Sequence, residues 1–287
     1  MRFSPGMVWA LLCTLLTAAL PTYANDSERN LRPLTLGIVP YLSTRNLLAI
    51  HQPLARRLET SLQQPVQIQT APDFDTFVKR LVSGDFDLAI APPHYARLAI
   101  REYGYQALLV HKAPIRGILV TARQQPLASA DDLRGKAIAI ADRSALLVIL
   151  GAAALADLGL REEKDYRFVE APSHASALHS AVSGKAAAAL VTQTALLLAP
   201  AELQRDALAW RELAQIPGQF YVAHNRLSDA RQKAIKAALL AFERSAEGQT
   251  FFDKTRNEGF REPTSADNSQ LDRALPETRR LLGPVLR

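Results

Sequence analysis

The sequence alternates short apolar strands with amphipathic helices, and it does so in two separate series. In the first series LTLGIVP (34–40) predicts a buried strand, a capped helix follows over 44–63, and VQIQTA (66–71) predicts the next strand. In the second series AIAIA (137–141) precedes a helix over 144–158. Alternation of this kind predicts sheets of mostly parallel strands covered by helices on both faces. We therefore expect an α/β fold built from two similar units.

Two stretches one hundred residues apart mark equivalent strands of these units. SGDFDLAIAPPHYA (83–96) and SGKAAAALVTQTAL (183–196) each begin with Ser-Gly, continue as an apolar run and end in a polar tip followed by helix formers. We interpret them as the same strand in two lobes, with tips that face each other, and not as a sequence repeat. The first stretch carries Asp87 where the second has Ala187, and we expect this aspartate to have a structural role within the first lobe.

Two segments are predicted to cross between the units as strands, GILVTA (117–122) and QFYVAH (219–224). The last part of the chain has no sheet of its own, so we expect its helices to pack onto the first unit; they are predicted at 229–247, 249–257 and 268–282. The predicted lobe 1 therefore comprises 34–118 and 223–287, and the predicted lobe 2 comprises 119–222. Two such lobes form a hinged cleft, in which ligands lie beyond the carboxyl ends of the strands, beside helix N-termini.

The N-terminus has the pattern of a secretory signal peptide over residues 1–24. A basic residue, Arg2, precedes an apolar run over 7–20, and small residues stand before a cleavage point after Ala24. The run is shorter than the ~20 residues that span a bilayer. The alternatives are an uncleaved anchor and a lipoprotein modified at Cys13. We expect an exported protein that resides in the periplasm.

The residue types available for chemistry exclude several classes of function. Cys13 is the only cysteine, and it would leave with the signal peptide, so the mature chain would have no thiol nucleophile and no cysteine zinc site. The net charge is +6, but the basic residues are scattered and predict no nucleic-acid surface. A mild positive field would help to collect small anions. Serine-hydrolase, metalloprotease and phosphate-loop motifs are absent from the sequence, so we predict no catalytic group, metal or cofactor.

Five segments, in this order, resemble one family of transport receptors. They are LGIVPYLSTRNLLAIHQPLARRLE, VQIQTAPDFDTFVKRLVSGDFDLAIAPPHYARLA, ADDLRGKAIAIADRSALLVILGAAALADLGL, SHASALHSAVSGKAAAALV and IPGQFYVAHNRLS. The chain is similar to the type II periplasmic solute-binding proteins, in the phosphate/phosphite/phosphonate branch of ABC transporter receptors. This resemblance implies a monomer that binds a small solute between two lobes, each a mostly parallel sheet flanked by helices, and delivers the solute to a membrane permease.

The resemblance also implies which residues bind the ligand, because the family's pocket is formed by loop tips at strand ends. The predicted ligand-binding residues are Tyr41, His94, Tyr95, Arg143, Ser144, His174, Thr192 and Tyr221. Arg143 is able to offer two parallel hydrogen bonds to an oxyanion, or else it is an exposed surface residue. His174 is expected to line the pocket, or else to cap its helix locally. Tyr221 would face the cleft from the returning strand.

Departures from the family pattern bear on the ligand. Phosphonate binders open the helix after the second lobe's first strand with small hydroxyl residues, where this chain has Arg143-Ser144-Ala145 followed by two leucines. Binders of aminophosphonates place acids at positions where this chain has Ala175 and Ala187. Because an unpaired ammonium in a closed cleft is costly, an aminophosphonate is disfavoured. We predict a small anion, namely a phosphate- or phosphonate-like oxyanion, with a less polar organic acid as the other ligand that fits.

Three functions are consistent with these residues. The first is a periplasmic receptor of an ABC importer. The second is a sensing module of the same fold, whose closed state would be read by a separate membrane sensor kinase or chemoreceptor. The third is an enzyme that evolved on this fold, which the lack of cysteine and of a paired acid and base disfavours.

Overall fold

The computed structural model describes residues 32–283 of the chain. The signal peptide predicted at residues 1–24 lies outside the described residues. Within 32–283, no helix combines the length and the apolar character that crossing a membrane requires.

Residues 32–283 form eleven strands and ten α-helices. The strands are β1 Leu34–Ile38, β2 Val66–Gln69, β3 Leu88–Ala91, β4 Tyr105–His111, β5 Ile115–Ala122, β6 Lys136–Ile140, β7 Tyr166–Glu170, β8 Ala188–Thr192, β9 Ala207–Ile216, β10 Phe220–His224 and β11 Phe260–Arg261. The helices are α1 Thr44–Leu62, α2 Phe74–Val82, α3 Pro93–Glu102, α4 Leu146–Asp157, α5 His174–Val182, α6 Gln193–Leu197, α7 Ala201–Asp206, α8 Asp229–Glu243, α9 Ala246–Thr255 and α10 Ser265–Leu282. A short 3-10 helix spans Ala130–Leu133.

The strands form two mixed sheets that share one plan. The first sheet has the order β11-β4-β10-β3-β1-β2, and the second has the order β7-β6-β8-β5-β9. In each sheet, parallel strands are interrupted by one antiparallel strand, which is β10 in the first and β5 in the second. We call the first sheet with its helices lobe 1 and the second lobe 2. The two-lobed α/β fold predicted from the sequence is confirmed.

The chain crosses between the sheets at 112–114 and 217–219. Both strands that were predicted to cross lie wholly within one sheet, β5 in lobe 2 and β10 in lobe 1, so the predicted boundaries at 118/119 and 222/223 fall inside these strands. The two crossing segments run side by side, and the His111 backbone N–H donates to the Gln219 carbonyl oxygen at 3.0 Å. A Cβ at Gly218 would lie 2.6 Å from the His111 carbonyl oxygen, so only glycine fits there.

The two Ser-Gly stretches occupy equivalent places. Gly84 and Gly184 have φ angles of +75° and +74°, in the left-handed region where glycine is favoured, and they end α2 and α5. The strands that follow occupy the same place in their sheets: β3 is third from the β2 edge of the first sheet, and β8 is third from the β7 edge of the second. Their carboxyl ends therefore point to the same side of each lobe.

Asp87 connects three segments of lobe 1. Its buried carboxylate accepts hydrogen bonds from Arg32 at 2.7 Å, from Arg226 at 2.7 Å and from the Thr35 backbone N–H at 2.8 Å. Burial alone would raise the pKa of Asp87, but these hydrogen bonds hold it below its ordinary value. The structural role expected for Asp87 is what the contacts show.

Most of the C-terminal helices pack onto lobe 1. Helix α8 packs against α1, and α10 packs against α3, where Arg97 pairs with Asp272 at 2.7 Å. The two helices predicted over 229–247 and 249–257 are present as α8 and α9, but the boundary between them lies earlier, because Ser245 caps α9 by accepting a hydrogen bond from the Gly248 N–H.

Replacing Asp87 with asparagine should lower the free energy of unfolding by about 2–3 kcal/mol, since two guanidinium groups then lose their buried anionic partner. Asp85→Asn is the matched control, because Asp85 is exposed and pairs with Arg80 at the surface. This control should cost less than about 1 kcal/mol. Equal losses for the two variants in urea denaturation would contradict a structural role specific to Asp87.

Candidate functional site

A cavity of about 120 Å³ lies between the two lobes. Lobe 1 contributes residues that follow β1, β3 and β4, and lobe 2 contributes residues that follow β6, β7 and β8. The polar lining residues are Tyr41, His94, His111, Asp142, His174, Thr192, Thr194, Gln219, Thr255 and Asn257. The cleft predicted at the strand ends is therefore where the cavity lies.

Four helices of nine residues or more begin beside this cavity without an acidic residue in their first turn, namely α1, α3, α4 and α5. Their unpaired backbone N–H groups and dipoles make the cavity attractive to negative charge. Local sequence fixes two of these starts. Pro93 stands at the first position of α3, where its missing N–H costs nothing, and the Ser173 hydroxyl caps α5 by accepting from the Ser176 N–H.

Three histidines line the cavity in neutral form. Burial lowers the pKa of His94 and of His111 to about 3, and that of His174 to about 4; for His94 the Ser144 backbone opposes this with a smaller raising effect. His94 is buried, and apart from the Ser144 backbone neither of its ring nitrogens meets a hydrogen-bond partner among residues 32–283. The Nδ1 atom of His174 also lacks one. A neutral imidazole carries one N–H donor and one acceptor, so these rings offer unused polar atoms to a ligand.

A hydrogen-bonded cluster joins the lobes at the edge of the cavity. The Tyr95 hydroxyl, on α3 of lobe 1, donates to Asp142 Oδ2 at 2.7 Å and also contacts the Ser144 hydroxyl. In lobe 2, Asp142 Oδ1 accepts from the Ser144 N–H at 2.8 Å and from its hydroxyl at 2.7 Å. Burial raises the pKa of Asp142, although these hydrogen bonds act in the opposite direction. We call Tyr95, Asp142 and Ser144 the interlobe cluster.

Four of the eight predicted binding residues line the cavity: Tyr41, His94, His174 and Thr192. The Tyr41 hydroxyl is 3.0 Å from His51 Nε2, and burial raises the pKa of this tyrosine well above its ordinary value. The Thr192 hydroxyl caps α6 by accepting from the Ala195 N–H at 3.1 Å.

The other four predicted residues do not line the cavity. Tyr95 and Ser144 are buried in the interlobe cluster, and Tyr221 is buried in the core of lobe 1, with its hydroxyl 3.2 Å from His111 Nε2. Arg143 turns outward, because its guanidinium pairs with Glu162 on the outer side of lobe 2. The guanidinium predicted for an oxyanion is therefore already occupied by a carboxylate.

Six of the ten polar lining residues were not among the predicted binding residues: His111, Asp142, Thr194, Gln219, Thr255 and Asn257. A signal for Asp142 was present, since it stands just beyond a predicted strand, where the other candidates were sought. His111 ends β4 beside the crossing, and Asn257 follows α9, so their positions depend on packing between distant segments.

More than half of the lining residues are apolar, including Leu146 and Leu147 at the start of α4. No lysine or arginine of the described chain lines the cavity. Among residues 32–283, no group of three histidine, cysteine, aspartate or glutamate side chains is placed to hold a metal ion.

Comparison with known proteins identifies a protein family whose model matches most of the chain. A family model described as "ABC transporter, phosphonate, periplasmic substrate-binding protein" matches residues 36–268. No curated protein matches the chain.

Solved structures resemble the fold over most of its length. A binding protein component of an ABC phosphonate transporter from Pseudomonas aeruginosa has a TM-score of 0.72 at 15% identity, covering 89% of this chain and 100% of that chain. PhnD1 from Prochlorococcus marinus, in complex with methylphosphonate, has a TM-score of 0.72 at 14% identity, covering 87% and 98%. The periplasmic aliphatic sulphonate binding protein SsuA from Escherichia coli has a TM-score of 0.54 at 18% identity, covering 89% and 81%. At these identities the likeness shows the fold alone.

The buried neutral histidines predict that the protein loses stability in mild acid. His51, like His94 and His111, has its pKa lowered by burial to about 3 in the folded state. Below pH ~6.5 the unfolded chain binds protons that the folded chain does not, so each such histidine lowers the free energy of unfolding by about 1.4 kcal/mol per pH unit. Urea denaturation between about pH 7.5 and pH 5 should therefore show a fall of several kcal/mol.

The control is His51→Asn, which removes one titrating group that does not line the cavity. The pH slope should decrease by about 1.4 kcal/mol per unit, whatever the variant's stability at neutral pH. An unchanged slope would show that His51 takes up its proton in the folded state.

Proposed function

The chain belongs to the family of periplasmic substrate-binding proteins of phosphonate ABC transporters, and on this premise we propose that it captures a small organic anion between its lobes and delivers it to an importer. The four helix starts that converge on the cavity without acidic residues carry this proposal. Helix N-termini favour negative charge because of their aligned dipoles and free N–H groups.

The lining favours a weakly charged organic acid over a bare inorganic oxyanion. With no lysine or arginine at the cavity, an anion there would be held by helix starts, hydroxyls and neutral imidazoles only. The apolar residues, among them Phe74, Leu147 and Leu198, would cover a small hydrocarbon body. An aminophosphonate remains disfavoured, since Ala175 and Ala187 offer no partner to an ammonium.

Four residues are proposed to contact the ligand. His94 and His174 would use the ring nitrogens that lack partners, and Tyr41 and Thr192 lie at the cavity on opposite lobes. Contacts from both lobes would favour the closed arrangement, and rotation about the crossing segments would release the ligand. The ligand would leave chemically unchanged.

The proposed partner is a membrane permease with its ATPase. The same capture would also serve a sensor kinase or chemoreceptor acting in trans, and the neighbouring genes distinguish these roles. Adjacent permease and ATPase genes are expected, whereas a lone sensor kinase gene would favour sensing. Uptake of a bound solute by the reconstituted transporter, dependent on this protein, is the direct test of delivery.

Calorimetry with butanesulfonate tests the proposed site in the mature protein. His94→Leu and His174→Leu each replace a ring with an apolar side chain of similar size, and each should weaken binding on the order of tenfold through one lost hydrogen bond. Arg143→Ala is the control, because its guanidinium pairs with Glu162 away from the cavity. Binding that depends on Arg143 but on neither histidine would place the anion site elsewhere.

A further inference from the structure

One carboxylate of the protein itself lies in the anion cleft. Asp142 lines the cavity, is 8% exposed and stands four residues before Leu146, the first residue of α4. Three donors that point toward this position, the Ser144 N–H, the Ser144 hydroxyl and the Tyr95 hydroxyl, are directed to its two oxygens. Hydrogen-bond donors that would suit a ligand oxyanion therefore already bind the carboxylate of Asp142.

Within residues 32–283, no lysine or arginine lines the cavity to neutralise this charge. Arg143 is next in sequence, but its guanidinium contacts Glu162 and lies 3.8 Å from Glu163. The lining histidines are neutral, because burial lowers the pKa of each. The three hydrogen bonds that Asp142 accepts favour its carboxylate form, against burial, which raises its pKa, and in that form it places a negative charge at the cavity.

A charge balance follows from the helices around the cleft. Each helix N-terminus carries roughly half a positive charge, so the four starts without acidic residues supply about two. Asp142 offsets roughly one of these. The start of α2, which borders the cavity at Phe74, adds no net positive charge because Asp73 and Asp75 stand there. At most about one positive charge therefore remains for a ligand, which leaves a second negative charge on its head uncompensated.

We propose that Asp142 limits the cleft to singly charged anions, such as alkylsulfonates or carboxylates, and excludes doubly charged phosphonates. This inference rests on the proposed function and adds the residue that sets the selectivity. A second ligand charge would face the Asp142 carboxylate in a closed, largely apolar cavity, where like charges repel strongly. The carboxylate is poorly suited to hold a ligand ammonium instead, since its oxygens already accept three hydrogen bonds.

The test compares two probes that share a tail and a tetrahedral head, butanesulfonate with one charge and butylphosphonate with two at mildly alkaline pH. Calorimetry on the unmodified mature protein should show at least about tenfold preference for the sulfonate. Asp142→Asn keeps the shape and removes the charge, so the preference for the sulfonate should fall by about tenfold or more.

Asp157→Asn is the matched control. It removes the same charge from the exposed far end of α4, roughly 18 Å along the helix, and should leave the preference unchanged. Thermal melts establish that each variant is folded.

The outcomes separate the two proposals. Sulfonate binding with the same preference in Asp142→Asn overturns the role of Asp142 and leaves the proposed capture of a small anion standing. A phosphonate preference in the unmodified protein overturns that role as well, even if Asp142→Asn does not fold. Absence of sulfonate binding in the unmodified protein, with phosphonate binding gained in Asp142→Asn, contradicts the proposed ligand and supports the role of Asp142.

Discussion

The hydrogen bond from the Tyr95 hydroxyl to Asp142 connects the two lobes and defines the space between them. It runs from the start of α3 in lobe 1 to the tip that follows β6 in lobe 2. A buried carboxylate is stable only when donors surround it, and Ser144 supplies two of them. The same contact therefore closes the cleft, orders the start of α4 and sets the charge that a ligand meets.

That contact is possible because both lobes use one strand order. In each sheet the carboxyl ends of three parallel strands lie at one edge, and the antiparallel strands β10 and β5 each begin directly after a crossing of the chain. The helices that follow the parallel strands thus begin at facing edges, and their dipoles point into a common cavity. Asp87 secures the corresponding strand of lobe 1 from the opposite end, where lobe 2 has Ala187.

Periodicity and capping residues in the sequence were sufficient to predict the two lobes, because such patterns report local structure and burial. The rule that ligands lie at strand ends found Tyr41 and His174 but did not fix side-chain directions. Arg143 faces outward because Glu162, distant in sequence, pairs with it. Tyr221 faces the lobe 1 core, where its hydroxyl meets His111. The edge strand β9 was not predicted, and its pairing with β5 depends on tertiary structure.

His111 lies both at the cavity and at the crossing segments between the lobes. Its ring lines the cavity, while its backbone N–H bonds to Gln219 of the second crossing segment, beside a glycine that lets the segments touch. A ligand that contacts this ring would act directly on the crossing segments, about which the lobes are proposed to turn. Recognition and movement then need no relay of residues between them, since the distance from ligand to hinge is the length of one side chain.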